Sequence, residues 1–468
     1  MFLFIGNLSS ILVFLGFNGG EYIMIDHPSQ LLKRYLQEDF PCLMDLIRGC
    51  NPAAFTRNRT ITAADLLLQM LNRKNMTQFS EVMAYYDSMN KNMPVTEKAF
   101  FIARRKFNPQ AVRFMSNEFI SKVYDNYDDS IAKWKGLVIL GIDGSKCVVP
   151  NTSENRLVFG FQKSESKTNE PAMALISTLH DSLNNLKLDV QIDRIDGSER
   201  ELASRHIDEY CDHYHQKALF VFDRGYASIR LIDQITSRNQ YFLMRTPSGF
   251  YKKYFDQVRI GEARELEVSF DRVDSNTYRD DRAFRTHLMN TTYKLRFAKA
   301  EIGEGKDETN NVEYLVTNLP KELVSTEQLK EAYWLRWPVE TSYNRLKNRM
   351  GMEEFSGYKP ELILQDIYAD AWIYNMASLA IMEANEKKPL EQKDGEYTVS
   401  RNFNRTIGVL KMYLLKSLMT EDQKEQERLT DLIDSTISSS LNWVKKGDRQ
   451  FDRKAAVNKS AISYRKTY

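Results

Sequence analysis

The spacing of apolar residues divides the chain into a helical first part and a second part in which strands and helices alternate. From about residue 25 to residue 130, apolar positions recur three and four residues apart, as on one face of a helix. Thr62 and Thr96 each begin such a segment, and Asn108-Pro109 ends the second one. Two short helices with a turn between them predict a helix-turn-helix-like element, and a helical bundle with a cationic outer face gives the same pattern.

Two short, continuous apolar runs predict strands that are buried on both faces. Residues 136–142 form the first run and residues 218–222 the second. Asp143 follows the first run and Asp223 follows the second. An acid at the end of a buried strand is a usual position for a metal ligand, and an ordinary turn residue occupies the same position.

Further strands and helices around these runs predict a mixed α/β sheet. Strands are expected at residues 172–179, 186–192 and 241–244, and helices at residues 198–214 and from residue 227 to residue 235. The segment 247–311 alternates apolar and polar residues, which predicts an inserted β-domain, and residues 314–319 return to the core. Helices are then expected at residues 362–382, 402–418 and 426–437.

The stretch from Tyr333 to Lys347 carries the most specific pattern. In a helix, residues three, four and seven apart share a face. Tyr333, Arg336, Glu340 and Lys347 have these spacings, so that one face carries a phenol, two cations and an acid. Such a face is either simply solvated or holds a divalent metal with its carboxylate and phosphate with its cations. Pro338 lies two residues before Glu340, where the helix either kinks or begins again.

Composition limits the classes of protein that fit these patterns. At 468 residues the chain is long enough for two or three domains, and 42% hydrophobic with 27% charged residues is typical of a globular protein. The net charge is only +2, so a nucleic-acid surface must come from charge that is segregated in space. Four scattered cysteines indicate neither a disulfide framework nor a zinc module.

Residues 1–23 are expected to be a wrongly assigned leader that is not translated. Residues 1–17 lack a basic region and a cleavage site, and they are short for a membrane span. Asn18-Gly-Gly-Glu21 can be encoded by a purine-rich ribosome-binding sequence upstream of Met24. We therefore expect translation to begin at Met24, and N-terminal sequencing that found Met1 retained would contradict this.

The spacing of Tyr333, Arg336, Glu340 and Lys347, with Trp337 after the arginine, resembles the Y-R-E-K signature of the DDE transposases of the IS4 type. The resemblance implies a ribonuclease-H-like core in which Asp143, Asp223 and Glu340 are catalytic and bind Mg²⁺, with Mn²⁺ as a substitute. It also implies that Tyr333, Arg336 and Lys347 contact the phosphate backbone of the transposon end. Trp337 either stacks on an unpaired base or packs in the core.

The same resemblance assigns DNA binding to the helical first part, with Arg104, Arg105 and Lys106 at the DNA. The expected organisation is a leader at residues 1–23, a helical DNA-binding domain at 24–130, the first part of the catalytic core at 131–246, the inserted β-domain at 247–311, the second part of the core with the glutamate helix at 312–390, and a helical C-terminal region with a basic tail at 391–468. That tail is either disordered or an electrostatic clamp for DNA.

The activity that the resemblance implies is binding of inverted-repeat ends, cleavage that frees 3′-hydroxyls, and joining of these to target DNA. The implied partners are double-stranded DNA and a second copy of the chain on paired ends, with no membrane, in the bacterial cytoplasm at the nucleoid. Two alternatives remain open: a ribonuclease-H-like nuclease or resolvase that does not join DNA, and a domesticated, non-catalytic DNA-binding protein.

Overall fold

The computed structural model of the protein describes residues 24–57, 59–162, 170–272, 274–301, 312–391 and 397–445. Contacts within the chain define two compact units. The first comprises residues 133–143 and 199–339, and the second comprises residues of the ranges 2–132, 144–198 and 340–468. The expected leader and the basic tail after residue 445 lie outside the described residues.

The strands are β1 (Val138–Val148), β2 (Met173–Asp181), β3 (Leu186–Arg194), β4 (Ala218–Phe222), β5 (Tyr241–Thr246), β6 (Ala263–Ser269), β7 (Thr292–Glu301), β8 (Val312–Thr317), β9 (Tyr397–Arg401) and β10 (Leu441–Lys445). Strands β2 to β5 and β8 lie close to their predicted positions, whereas β1 extends beyond its predicted end. The antiparallel pair of β9 with β10 was not predicted from the sequence.

The helices up to β6 are α1 (Pro28–Glu38), α2 (Met44–Arg48), α3 (Ala63–Leu71), α4 (Gln78–Asp87), α5 (Glu97–Arg104), α6 (Pro109–Asn126), α7 (Ser153–Val158), α8 (Glu199–His213), α9 (Ile229–Ser237) and α10 (Lys252–Phe255). Those after β6 are α11 (Arg282–Asn290), α12 (Thr326–Trp334), α13 (Pro338–Asn344), α14 (Pro360–Lys387), α15 (Phe403–Met419) and α16 (Gln423–Ser439). No helix among these is long and apolar enough to cross a membrane.

The first unit is a mixed sheet with helices. Its strand order is β1-β4-β5-β8-β7-β6, in which β1, β4 and β5 are parallel and the later neighbours are antiparallel. All five residues of β4 are buried, as expected of a central parallel strand whose sequence is one continuous apolar run. Helix α8 precedes β4 and helix α9 joins β4 to β5, which confirms the predicted mixed α/β class.

The segment predicted as an inserted β-domain belongs to the sheet of the first unit. Its strands β6 and β7 pair with each other, and β7 pairs with β8, so they extend the core sheet at one edge. Helices α10 and α11 also lie in this segment. The inserted residues therefore do not form a separate all-β sheet, because β7 finds its hydrogen-bond partner in the core strand β8 rather than within the insertion alone.

The second unit contains the end of β1, the strands β2 and β3, and most of the helices. Its strands have the order β1-β2-β3, and β2 pairs antiparallel with β3. Three consecutive strands followed along the chain by two helix-linked parallel strands is the succession expected of a ribonuclease-H-like core. The long helix α14 is buried at 21 of its 28 positions, so it is a central helix of this unit.

The helical first part differs from the predicted helix-turn-helix-like element. Thr62 and Thr96 cap α3 and α5 as expected, each accepting a backbone N–H three residues later. A further helix, α4, lies between them, and the Thr77 side chain caps it by accepting the Ser80 N–H. The expectation of two consecutive helices joined by a turn is therefore wrong, because Thr77 supplies a third helix start inside the supposed turn.

The basic run 104–106 does not form one DNA-facing surface. Arg104 is completely buried, forms an ion pair with Asp366, and donates to Gln365 Oε1 at 2.9 Å and to Ser356 Oγ at 3.0 Å. The assignment of Arg104 to DNA is therefore wrong, because its guanidinium is enclosed by acceptors from the long helix α14 and the segment before it. Arg105 and Lys106 are exposed, and Arg105 pairs with Glu361 at 2.5 Å.

Replacing Arg104 tests this buried ion pair. We expect Arg104→Met to lower the free energy of unfolding by about 3–5 kcal/mol, because it leaves buried acceptors and a buried carboxylate short of a partner. Arg105→Met is the matched control, and it should cost at most about 1 kcal/mol because its ion pair with Glu361 is partly exposed. Urea unfolding followed by circular dichroism compares the two variants. Equal costs would show that Arg104 has no special structural role.

Candidate active site

The two predicted aspartates lie on neighbouring parallel strands. Gly141 on β1 pairs with Val221 on β4, an offset of 80 residues along the chain (221 − 141 = 80). The same offset carried two residues further brings Asp143 level with Asp223 (223 − 143 = 80). Adjacent strands are about 4.8 Å apart, and residues two apart on a strand share a face. Extended in this way, the register puts the two aspartates at corresponding positions of neighbouring strands, and both are half-buried.

Asp143 occupies a different place in its strand from the one predicted. Asp223 directly follows β4, as expected. Asp143 was expected to end its strand, but β1 continues for five more residues to Val148. That prediction is wrong because β1 is longer than β4: Val138 to Gly141 pair with β4, and β2 is the other neighbour of β1 in the sheet order. Gly144 and Ser145 therefore continue the strand instead of forming a turn.

Asp223 is surrounded by polar side chains of the first unit. The Tyr333 hydroxyl donates to Asp223 Oδ1 at 3.1 Å, and Arg245 Nη1 lies 3.9 Å from the same oxygen. Arg245 also lies 3.7 Å from Glu313, so its guanidinium stands between two acids. The Asp223 side chain keeps 43% of its surface exposed. One carboxylate oxygen is thus held by the protein while the group as a whole stays accessible.

The sequence pattern assigns no role to Arg245, although the register of β4 and β5 places it opposite Asp223. Phe222 pairs with Met244 across β4 and β5, so the next residues along, Asp223 and Arg245, face each other. The predicted strands alone do not fix which residue of β5 lies opposite Asp223, because a register cannot be deduced from the ends of two apolar runs.

Tyr333 and Arg336 are buried, which contradicts the alternative of a simply solvated helix face. Each has 6% of its surface exposed, and the Arg336 guanidinium lies 5.8 Å from the centre of the Tyr333 ring. Burial raises the pKa of Tyr333 to about 12, while the charge of Arg336 opposes this shift. Tyr333 is therefore protonated at neutral pH and can donate its hydrogen bond to Asp223.

The signature stretch is not a single helix. Helix α12 ends at Trp334, and α13 begins at Pro338, which confirms that the helix begins again at the proline. A π-helical turn, Arg345–Arg349, follows α13. The expectation that the four signature residues share one continuous helical face is therefore wrong. Pro338 lacks a backbone N–H and cannot continue the hydrogen bonding of α12.

Gly141 lets the start of α13 approach β1 closely. A Cβ atom at Gly141 would lie 3.3 Å from Val339 Cβ and 3.4 Å from the Arg336 carbonyl oxygen. Only glycine leaves room for this approach without a shift of its neighbours. Val339 is fully buried, and Glu340, which follows it in the chain, is half-buried.

The other two signature residues differ in their exposure. Lys347 is half-buried, and its Nζ donates to Ser145 Oγ at 2.7 Å and to the Lys146 carbonyl oxygen. Ser145 lies two residues beyond Asp143 on β1 and so on the same face of that strand. Trp337 has 41% of its surface exposed, which contradicts the alternative of ordinary core packing and leaves its ring available to a ligand.

Comparison with known proteins gives a consistent result. Residues 135–376, just over half of the chain, match the family model of the transposase DDE domain. The transposase InsG for insertion sequence element IS4 of Escherichia coli K12 is 21% identical over 343 residues, covering 72% of this chain and 71% of that protein. The transposase for insertion sequence element IS421 of Escherichia coli is 37% identical over 60 residues, 13% of this chain and 15% of that protein.

Among solved structures, a cryo-EM structure of a piggyBac transposase synaptic complex with hairpin DNA is similar to this chain. The TM-score is 0.41 and the sequence identity 12%, with 88% of this chain and 85% of that chain covered.

Gly141→Ala tests the close approach of α13 to β1. We expect a loss of about 1–3 kcal/mol in the free energy of unfolding, because the added methyl group forces Val339 or the backbone at Arg336 to move. Gly225→Ala is the control: no atom lies within 4 Å of its added Cβ, so the substitution should be neutral or slightly stabilising. Chemical unfolding of both variants gives the comparison. A Gly141→Ala protein as stable as Gly225→Ala would show that the approach tolerates a side chain.

Proposed function

The chain belongs to the family of the transposase DDE domain, and we propose that Asp143, Asp223 and Glu340 are the catalytic carboxylates of this DDE transposase of the IS4 type. An enzyme of this family performs metal-dependent DNA cleavage and strand transfer. The observation that carries the proposal is the parallel register that sets Asp143 level with Asp223, inside the part of the chain that matches the family. Glu340 supplies the third acid from the first turn of α13.

The family implies a divalent metal, and we propose that the ion is Mg²⁺, with Mn²⁺ as a substitute. The residues fit this ion because all three donors are carboxylates, and Mg²⁺ prefers hard oxygen ligands. Asp223 has the exposure that a ligand needs. When bound, such ions activate the attacking oxygen and stabilise the leaving oxygen of an in-line displacement at phosphorus.

The residues around Asp223 hold its carboxylate group in one orientation. The Tyr333 hydroxyl holds one carboxylate oxygen at 3.1 Å, which orients the carboxylate. Arg245 places a positive charge near the same oxygen and offsets the repulsion that gathered acids exert on one another. We propose that Tyr333 acts through Asp223 and Arg336 through the Tyr333 ring beside it, and that these buried residues are positioning residues rather than contacts to DNA phosphate.

DNA phosphate near the cut is assigned to Lys347. Its ammonium group has only donors, so it binds phosphate rather than metal. It lies against β1 two residues beyond Asp143, at Ser145. The exposed Trp337 offers a ring on which an unpaired base can stack, worth about 1–3 kcal/mol per base.

One site serves two consecutive reactions in this proposal. Water attacks a phosphodiester at the transposon end, and the 3′-oxygen leaves as a hydroxyl. That 3′-hydroxyl then attacks a phosphodiester of target DNA, forming a new bond as the target strand breaks. Both steps exchange one phosphodiester oxygen for another, so the same acids serve both.

The remaining assignments concern DNA and assembly. We propose that the helical part within residues 24–130 binds the transposon ends, with Arg105 and Lys106 as exposed cations for phosphate. We further propose a homodimer on paired ends, acting at the nucleoid in the bacterial cytoplasm. Light scattering of the protein–DNA complex tests the dimer, and a single chain on a pair of ends would contradict it.

The three acids are expected to be essential for cleavage and dispensable for binding. Asp143→Asn, Asp223→Asn and Glu340→Gln should each lower the rate of nicking of end DNA in Mg²⁺ by at least about a thousandfold. Binding of end DNA in a mobility-shift assay should persist, because it depends on phosphate contacts elsewhere. Asp196→Asn, which changes an exposed acid in an ion pair with Arg194, is the control and should cleave normally. Near-normal nicking by Asp143→Asn would refute its assignment.

Lys347 and Glu340 are expected to have opposite effects on metal and DNA. Lys347→Ala should weaken binding of the cleaved end and keep Mn²⁺ binding. The slope of log affinity against log salt concentration should become shallower by about 1, as expected for the loss of one phosphate contact. Glu340→Gln should lose Mn²⁺ affinity and keep the DNA contacts. Arg349→Ala removes an exposed cation from the same π-helical turn and is the control for a general loss of charge. Equal loss of metal binding in both test variants would indicate a folding defect around Pro338.

A further inference from the structure

A second group of metal-binding side chains lies in the second unit and has no role in the function proposed above. It consists of His27 before α1, Glu383 on α14 and Asp434 on α16. One ligand atom of each residue lies within 4.8 Å of the others. Residues from three distant parts of the sequence therefore converge on one point.

The His27 ring is oriented toward this point and almost completely buried. Its exposed fraction is 3%. Nδ1 accepts the Ser29 N–H at 3.2 Å and lies 2.5 Å from Ser29 Oγ, which fixes the ring. Nε2 lies 3.4 Å from Asp434 Oδ1, in a geometry that is not a hydrogen bond, and has no hydrogen-bond partner in the described part of the chain. A buried ring nitrogen without a partner is costly unless a ligand completes it.

The two carboxylates share a cation supplied by the protein. Lys387 Nζ lies 2.7 Å from Glu383 Oε1 and 2.9 Å from Asp434 Oδ2. Glu383 is buried, whereas 47% of the Lys387 side chain is exposed. The position of the ammonium group shows that a cation is favourable between the two carboxylates. Because the lysine side chain is flexible, it can move away and leave the carboxylates to a metal ion.

From this geometry we propose that His27, Glu383 and Asp434 form a binding site for a divalent transition-metal ion of the Zn²⁺ type. One imidazole nitrogen and two carboxylate oxygens are ligands that Zn²⁺ uses, at about 2.0–2.2 Å, with water in the fourth position. The imidazole selects transition metals over Mg²⁺ and Ca²⁺, which prefer oxygen alone. Metal binding at Nε2 moves the ring proton to Nδ1, which then donates to Ser29 Oγ, 2.5 Å away, instead of accepting the Ser29 N–H.

The site connects the start of the described chain to two helices near its other end. His27 precedes α1, whereas Glu383 and Asp434 belong to α14 and α16. An ion that binds the folded protein and not the unfolded chain stabilises the fold by mass action. Lys387 and the ion compete for the same carboxylates, so this lysine raises the metal-ion concentration that is needed for binding.

The test measures Zn²⁺ affinity of the full-length protein by competition with a chromophoric chelator. All variants carry Asp223→Asn, so that the proposed catalytic acids contribute little. His27→Gln should weaken binding by at least about a hundredfold, because it removes the only nitrogen ligand. Lys387→Met should tighten binding by at least about tenfold, because it removes the competing ammonium. His213→Gln, at an exposed surface histidine, is the control and should change nothing.

Further readouts keep the proposal testable if His27→Gln fails to fold. Co²⁺ bound to the Lys387→Met protein should give the intense visible absorption of a four-coordinate site, and Mg²⁺ in excess should not displace it. Zn²⁺ should raise the thermal midpoint of the parent protein and of Lys387→Met. Three results would overturn the proposal: affinity unchanged in His27→Gln, affinity no tighter in Lys387→Met, or loss of binding in His213→Gln.

Discussion

The parallel pairing of β1 with β4 is the constraint on which the rest of the proposed active site depends. An offset of 80 residues sets Asp143 level with Asp223, and a slip of one residue would turn Asp143 to the other face of the sheet. Both strands are buried where they pair, and the register itself is a tertiary feature that their apolar sequences do not determine. Gly141 lies in the paired part of β1, and its lack of a side chain leaves room for the start of α13.

Around Asp223 the first unit places a phenol, a guanidinium and a second acid rather than apolar side chains. Burial raises the pKa of Tyr333, so the phenol serves as a donor and not as a base. Burial also raises the pKa of Glu313, which Arg245 opposes by standing between this acid and Asp223. These groups hold Asp223 at one carboxylate oxygen while 43% of its side chain stays exposed.

The second unit shows that a run of charged residues in the sequence does not indicate whether their side chains are exposed or buried. Arg104 belongs to a basic run that favoured a DNA surface, yet it forms a buried ion pair with Asp366. Arg73 and Asp370 extend this buried ion cluster, so that two cations and two acids lie within the helical core. Such groups determine which helices pack together, because each of them is costly without its particular partner.

Much of the fold could be predicted from the sequence alone, and the assignment of the three acids stays a prediction. Apolar runs fixed the strands β1 to β5, threonine caps fixed helix starts, and the four-residue signature with Trp337 indicated the family that the comparison then showed. These features are local, because hydrophobic period and capping act within a few residues. Only the tertiary structure decided that Asp143 lies inside its strand, that Arg245 faces Asp223, and that Arg104 is buried. Each of these three features depends on which distant segment packs against the residue. The pattern of apolar and polar residues along one segment carries no information about which segment that is.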